Sequence, residues 1–212
     1  MRFHYAGKFD GDPESLPHGE HMPGAVKFKE PEDSKKLAVI ASFIGLSVFV
    51  VAMLLYLWRM FTYDFPAEHP MGAMGRGMFV GLFLFVITMV PHEFLHAICF
   101  KEDVYLYENL KQGMLFVVGL ETMSKGRFIF MNLLPNLAFG VLPLALAIIF
   151  WPLATWLAWW GLFALTGSGG DLLNVFNAIT QMPRGARTYL HGFNSWWYLP
   201  WWEGISPSGK RS

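Results

Sequence analysis

Five consecutive residues, His92-Glu93-Phe94-Leu95-His96, combine the side chains that metal-dependent hydrolysis requires. On a helix, His92 and His96 lie one turn apart on the same face, so both can bind one metal ion. Glu93 lies beside them, where its carboxylate can take a proton from a water molecule on the metal. Zinc with two histidines and one further protein ligand keeps a fourth position for that water. The run therefore predicts a zinc site in which Glu93 is the general base.

The segment that carries this run is strongly apolar. Residues 78–91 contain no charged side chain, and Ala97-Ile98-Cys99-Phe100 follow the second histidine. The chain of 212 residues is 54% hydrophobic and only 15% charged. In soluble domains, about a quarter of the residues are charged. Ionisable groups in such surroundings are costly unless they serve one another or a ligand. The first hypothesis is therefore a zinc site inside a membrane.

Composition also limits the partners. The formal net charge is zero, so nothing indicates nucleic acid, and we expect the lipid bilayer and a membrane-protein or peptide substrate instead. Cys99 is the single cysteine, which excludes an internal disulfide framework. The first 36 residues are polar and rich in Pro and Gly, unlike a cleavable signal peptide.

Four apolar segments are predicted to cross the bilayer, for which about 20 residues suffice. They cover approximately residues 37–60, 78–100, 128–150 and 155–180. Pro91, just before His92, is expected to kink the second helix, because proline removes a backbone donor and crowds the preceding turn. Thr62 to Gly77 is expected to form a loop, since it contains Pro66 and Pro70 among several glycines.

The predicted fold is an all-α membrane bundle of about four helices, with a small β-hairpin or looped connector between the second and third. Residues 101–127 have strand-like composition, and an exposed edge there could pair with an extended peptide; a plain cytosolic connector is the alternative. A mostly irregular polar arm is expected over residues 1–36, a membrane core over 37–180, and a basic, aromatic interfacial tail over 181–212.

Two polar side chains in later spans are candidates for the same site. Asp171 is the only acid between Arg127 and Glu203, and a lone membrane-embedded Asp suggests a functional partner, here the metal, with a structural ion pair or hydrogen bond as the alternative. At a rise of 1.5 Å per residue, His92 lies roughly 21 Å from the start of the second span and Asp171 roughly 24 Å from the start of the fourth. The two side chains are therefore expected at similar depths in the bilayer. Asn132 could stabilise an oxyanion at the metal or make a helix–helix hydrogen bond.

Basic residues predict the orientation. Four lysines precede the first span, and further Lys and Arg residues lie between the second and third spans and after the fourth. The positive-inside rule then places both termini and the long connector in the cytoplasm of a multi-pass cell-membrane protein. The predicted site accordingly lies near the cytoplasmic face.

These motifs resemble a known class of enzymes. His92-Glu93-Phe94-Leu95-His96, Asn132-Leu133-Leu134-Pro135 and Gly170-Asp171 look like the site-2 protease class of intramembrane zinc metalloproteases, and more closely like a family of small bacterial and archaeal membrane proteins described as zincin peptidases. The resemblance covers residues 37–180. It implies zinc held by His92, His96 and Asp171, with Glu93 as general base, and cleavage of membrane-associated proteins. It departs in two respects: Asn132 and Asp171 stand on different spans rather than within one motif, and no PDZ-like or CBS-like regulatory domain is expected within this length.

Two other functions remain open from the sequence. A zincin of the prenyl-protein-processing type takes Glu as its third ligand, and Glu121 would then have to replace Asp171. A membrane scaffold or metal sensor could keep the site without turnover.

Overall fold

The structure is a computed structural model that describes residues 1–12, 15–31, 33–62, 70–109, 114–150, 155–192 and 194–200. Among the described residues, six α-helices form the body of the molecule: α1 Ser34–Phe61, α2 Pro70–Ala97, α3 Lys125–Pro135, α4 Leu142–Ile149, α5 Thr155–Gly167 and α6 Gly169–Gln181. A π-helical segment, Asn136–Val141, joins α3 to α4. Asp33 begins α1 by accepting a hydrogen bond from the Lys35 N–H, and Ser124 begins α3 in the same way through the Arg127 N–H.

Seven strands accompany the helices in the part of the chain that the structure describes: β1 Phe3–Lys8, β2 Val26–Lys27, β3 Val104–Asn109, β4 Met114–Gly119, β5 Met123–Ser124, β6 Arg187–His191 and β7 Asn194–Tyr198. They form a three-stranded sheet in the order β1-β3-β4 and a four-stranded sheet in the order β2-β7-β6-β5. The hairpin predicted between the second and third spans is β3–β4, paired from Val104↔Gly119 to Asn109↔Met114.

The prediction of an all-α fold is wrong, because the arm and the tail contribute strands as well as the connector. β1 pairs with β3 in parallel, and β2 of the arm pairs with β7 of the tail. The arm was expected to be irregular because prolines and glycines interrupt its sequence, but short strands can form wherever a neighbouring edge supplies hydrogen bonds. The aromatic tail also packs against protein: Tyr198 is buried, whereas Trp201 and Trp202 lie outside the described residues.

Three helical segments of the described chain are long and apolar enough to span a membrane: Lys35–Phe61, Met71–Ala97 and Lys125–Ile149. They correspond to the first three predicted spans. The predicted count of four is not reached, because the fourth segment is divided at Ser168 into α5 and α6, each of 13 residues. α6, which is the second half of the predicted span, also carries Asp171, Asn174 and Asn177, and these side chains make it too polar for an apolar span.

The expected loop before the second span is also shorter than predicted. α2 begins at Pro70, and Gly72 and Gly75 lie inside it. Proline is well tolerated at the first turn of a helix, where its missing N–H would have no helical partner. Glycine is frequent in membrane helices, so Pro70, Gly72 and Gly75 did not end the helix as they would be expected to in water.

Small residues let the helices approach closely. α2 packs mainly against α5, and α1 packs against both α5 and α6. A side-chain carbon at Gly169 would collide with the carbonyl oxygen of Ala41 in α1, and one at Gly45 would collide with that of Thr166. This contact holds the break between α5 and α6 against α1, and thereby fixes the position of Asp171 two residues beyond Gly169.

Candidate metal centre

The structure brings His92, His96 and Asp171 together. Nε2 of His92 lies 3.2 Å from Oδ2 of Asp171, and Nε2 of His96 lies 3.3 Å from Oδ1. The two Nε2 atoms are 3.2 Å apart. The two histidines come from the last turns of α2, and Asp171 comes from the first turn of α6. Within the described ranges, these three residues are the one group of His, Cys, Asp and Glu side chains arranged to hold a metal ion.

The orientation of His96 is fixed by a contact on its other nitrogen. Nδ1 lies 3.0 Å from the carbonyl oxygen of Met131, and a carbonyl oxygen can only accept. Nδ1 therefore carries the proton, and Nε2 presents a lone pair toward His92 and Asp171. Metal-binding histidines are commonly oriented in this way by a hydrogen bond from the nitrogen that does not bind the metal.

This set of donor atoms fits a zinc ion. The lone pair on His96 Nε2 faces a carboxylate oxygen and a second imidazole nitrogen at little more than 3 Å. Such atoms repel one another unless a proton or a cation lies among them. Two imidazole nitrogens and one carboxylate are a ligand set typical of catalytic zinc.

Glu93 lies next to these residues. Its side chain is buried at 8% exposure and is close enough to His96 and Asp171 to interact with their charges. The carboxylate also faces the backbone N–H of Val117 in β4, which therefore borders the site. Its position beside two histidines that could hold a metal ion is the one that a general base would occupy.

Asn132 makes the helix–helix contact that was its alternative interpretation. Its amide N–H donates to Phe128 of its own helix at 2.8 Å, and its oxygen accepts from Asn174 Nδ2 in α6 at 3.0 Å. Asn132 also lines the cavity at the site, so its role toward an oxyanion stays a prediction.

Asn136, which sequence reasoning did not assign to the site, contacts a predicted ligand directly. Its amide Nδ2 donates to Oδ2 of Asp171 at 3.1 Å. Its place one helical turn after Asn132, on the side that faces α6, is the signal that could have identified it.

Glu121 has a different role from the one that the prenyl-processing alternative requires. Its Oε2 accepts the backbone N–H of Glu102 at 2.7 Å and that of Lys101, and its Oε1 pairs with Arg127. The same guanidinium donates to the carbonyl oxygen of Cys99. Glu121 thus closes the turn after α2 rather than joining the histidines.

A cavity of about 500 Å³ opens onto the site. Its walls come from α1, α2, α3, α5, α6 and the π-helical segment, and from β4 on the side of the sheets. Leu16 and Glu30 of the arm also line it, together with Leu190 and Ser195 of the tail. Both terminal segments therefore contribute to the wall of the cavity at the predicted active site.

Comparison with known proteins agrees with the site. Residues 85–187 match a family described as "Putative zincin peptidase". This segment is similar to the zincin peptidases. It contains the two histidines, Glu93, both asparagines of the third helical segment and Asp171, and it suggests a zinc metallopeptidase. No curated protein and no solved structure matches the chain.

Proposed function

We propose that the chain is an intramembrane zinc metalloprotease that hydrolyses peptide bonds of membrane-associated proteins near the cytoplasmic face. The observation that carries this proposal is the convergence of His92, His96 and Asp171 at about 3 Å, with Glu93 buried beside them, at the end of a membrane-length helix. The match to the zincin family supports the peptidase chemistry.

The residues divide the chemistry among them. A zinc ion held by His92, His96 and Asp171 would polarise a peptide carbonyl and acidify a water molecule. Glu93 accepts the proton of that water and later delivers it to the leaving amine. The hydrogen bond from His96 to Met131 keeps the imidazole in the tautomer that binds metal, so this ligand needs no rearrangement.

The shape of the site favours an extended peptide as substrate. β4 is an outer strand of its sheet, and its residues 114–118 line the cavity. An extended segment can add to such an edge through backbone hydrogen bonds. A peptide bound in this way would lie along β4, beside Glu93 of α2. The apolar faces of α1 and α2 suit a substrate that is itself anchored in the bilayer.

Substitution of the general base tests the proposal. We expect Glu93→Gln to retain stoichiometric zinc, because the three ligands are untouched, and to lose peptide hydrolysis by a factor of at least about 10². Purified wild type and variant are compared for zinc content by elemental analysis and for cleavage of a membrane-anchored peptide in detergent. Glu102→Gln, an exposed acid beyond α2, is the matched control and should cleave like wild type.

The other functions predict different results. Equal cleavage by wild type and Glu93→Gln would disprove the assigned base. Zinc binding without any cleavage by the wild type would favour the scaffold or sensor. Cleavage restricted to prenylated peptides would favour the prenyl-processing type of enzyme.

A further inference from the structure

Asn136 stands where the third helical segment changes its winding. It follows Pro135 and begins the π-helical segment Asn136–Val141, in which the Leu142 N–H bonds to the Leu137 carbonyl. Such wide turns in α-helices are frequent at functional sites. The side chain is buried at 3% exposure and faces α6.

The orientation of the Asn136 amide follows from its partners. Nδ2 lies 2.9 Å from the carbonyl oxygen of Asn132 and 3.1 Å from Oδ2 of Asp171. Both partners are acceptors, so the nitrogen must face them and both of its hydrogens are used. The amide oxygen points the other way, and it is buried without a hydrogen-bond partner among the described residues. The contacts of the Asn136 side chain are therefore those of a hydrogen-bond donor.

The two donated hydrogen bonds have different functions. The bond to Asn132 anchors the Asn136 side chain to its own helix. The bond to Asp171 reaches across to α6, and holds the oxygen that lies 3.2 Å from His92 Nε2. A donor on a metal-binding carboxylate stabilises its charged form and limits its rotation, and loss of such a partner commonly weakens metal binding 10–100-fold, roughly.

We propose that Asn136 is a positioning residue that holds the Asp171 carboxylate in its metal-binding orientation. This inference rests on the metal site of the proposed function. Asn136 acts through Asp171 and is not itself a ligand. Its absence should leave the two histidines in place and weaken only the contribution of the carboxylate.

The test is zinc affinity, measured in detergent by competition with a chelator of known affinity. We expect Asn136→Leu to weaken zinc binding about 10–100-fold. Asn174→Leu is the matched control: it removes the other asparagine hydrogen bond between the same two segments, which ends on Asn132 and not on a proposed metal ligand. Unfolding of the metal-free proteins is followed in parallel, and Asn136→Ser replaces the leucine variant if that variant does not fold.

A double substitution separates positioning from helix docking. In an Asp171→Ala background, Asn136→Leu should cause no further loss of zinc affinity. Wild-type affinity in Asn136→Leu, an equal loss in Asn174→Leu, or an undiminished effect in the Asp171→Ala background would each overturn the inference. Zinc binding without cleavage by the wild type would contradict the proposed function alone, whereas a wild type that binds no zinc would overturn both.

Discussion

At the scale of single residues, Asp171 and Glu121, the two candidates for the third metal ligand, differ in their contacts. Asp171 faces the two imidazoles, whereas Glu121 is occupied by two backbone N–H groups and Arg127. Both acids follow the His-Glu-x-x-His run in the sequence, and their spacing from it does not decide which of them would bind the metal. The hydrogen-bond partners of each carboxylate assign Glu121 to the fold and make Asp171 the proposed ligand.

Alanine at each acid should therefore have opposite effects. We expect Asp171→Ala to bind zinc only weakly and below stoichiometry through the two histidines, while remaining folded, since it removes one of three ligands. We expect Glu121→Ala to retain zinc but to lower the free energy of unfolding by about 3 kcal/mol, because a buried ion pair loses one partner. Zinc content and thermal unfolding of the purified variants check both. Stoichiometric zinc in Asp171→Ala together with its loss in Glu121→Ala would reverse the assignment.

Glu30, in the arm and outside the helices, provides a pH-dependent test. Burial raises its pKa, although its Oε1 accepts hydrogen bonds from the Ser195 N–H and Asn194. Between the unfolded and folded pKa values the native state binds more protons, so stability falls as pH rises through that window. We expect Glu30→Gln to lack this fall, because glutamine keeps the acceptor but does not ionise.

The measurement is the unfolding temperature of the metal-free protein from acid to neutral pH. Wild type and Glu20→Gln, an exposed acid of the same arm, should show the same decline across the window. An identical decline in Glu30→Gln would show that Glu30 does not cause it.

At the scale of elements, the break between α5 and α6 decides where Asp171 lies. Ser168 separates the two helices, and Gly169 packs directly on the backbone of α1 at Ala41. A side-chain carbon at Gly169 would overlap the Ala41 carbonyl oxygen, so only glycine allows this close approach of the two helices. Gly170, by contrast, has open space where a side chain would stand.

Two neighbouring alanine substitutions test this contact. Gly169→Ala should destabilise the protein by about 1–3 kcal/mol, because α1 must move away from the added carbon. Gly170→Ala should be neutral or stabilising by about 0.5–1 kcal/mol, since alanine favours the helix and meets no neighbour. Thermal unfolding in detergent compares them; equal unfolding temperatures would contradict the close approach.

At the scale of the whole molecule, the sheets join segments that are far apart in sequence. The arm pairs with the connector through β1 and β3, and with the tail through β2 and β7. Strands that share hydrogen bonds must lie on the same side of a bilayer. After the third membrane-length segment, α5 and α6 together would therefore have to return the chain to the side of the arm. The distribution of Lys and Arg would then place all three in the cytoplasm by the positive-inside rule, and this orientation stays a prediction.

Labelling of introduced cysteines tests this arrangement. In a Cys99→Ser background, cysteines at Asp10, Lys101 and Arg184 should react only when a membrane-impermeant reagent reaches the cytoplasmic side. A cysteine at Thr62, the exposed end of α1, should react from the opposite side. Labelling of Asp10→Cys and Thr62→Cys from the same side would contradict the orientation.

The sequence by itself determined the local features. The apolar length of the first three spans, the spacing of His92 and His96 on one helical face, and the strand composition of the connector depend on near neighbours and on solvent. The isolation of Asp171 in an apolar region also singled it out as a candidate. These properties are readable because each is decided within a few turns of chain.

Only the tertiary structure decided what depends on distant partners. The arm strands exist because β3 and β7 offer them edges, and the contact of Asn136 with Asp171 depends on how α6 packs against the third helical segment. The division of the fourth segment at Ser168 likewise accompanies the contact of Gly169 with α1. Sequence spacing does not reveal residues that are brought together by packing. The pair His92 and His96 was therefore evident from the sequence, because both lie on one helix. Asn136 was not, because its contact with Asp171 depends on the packing of two helical segments.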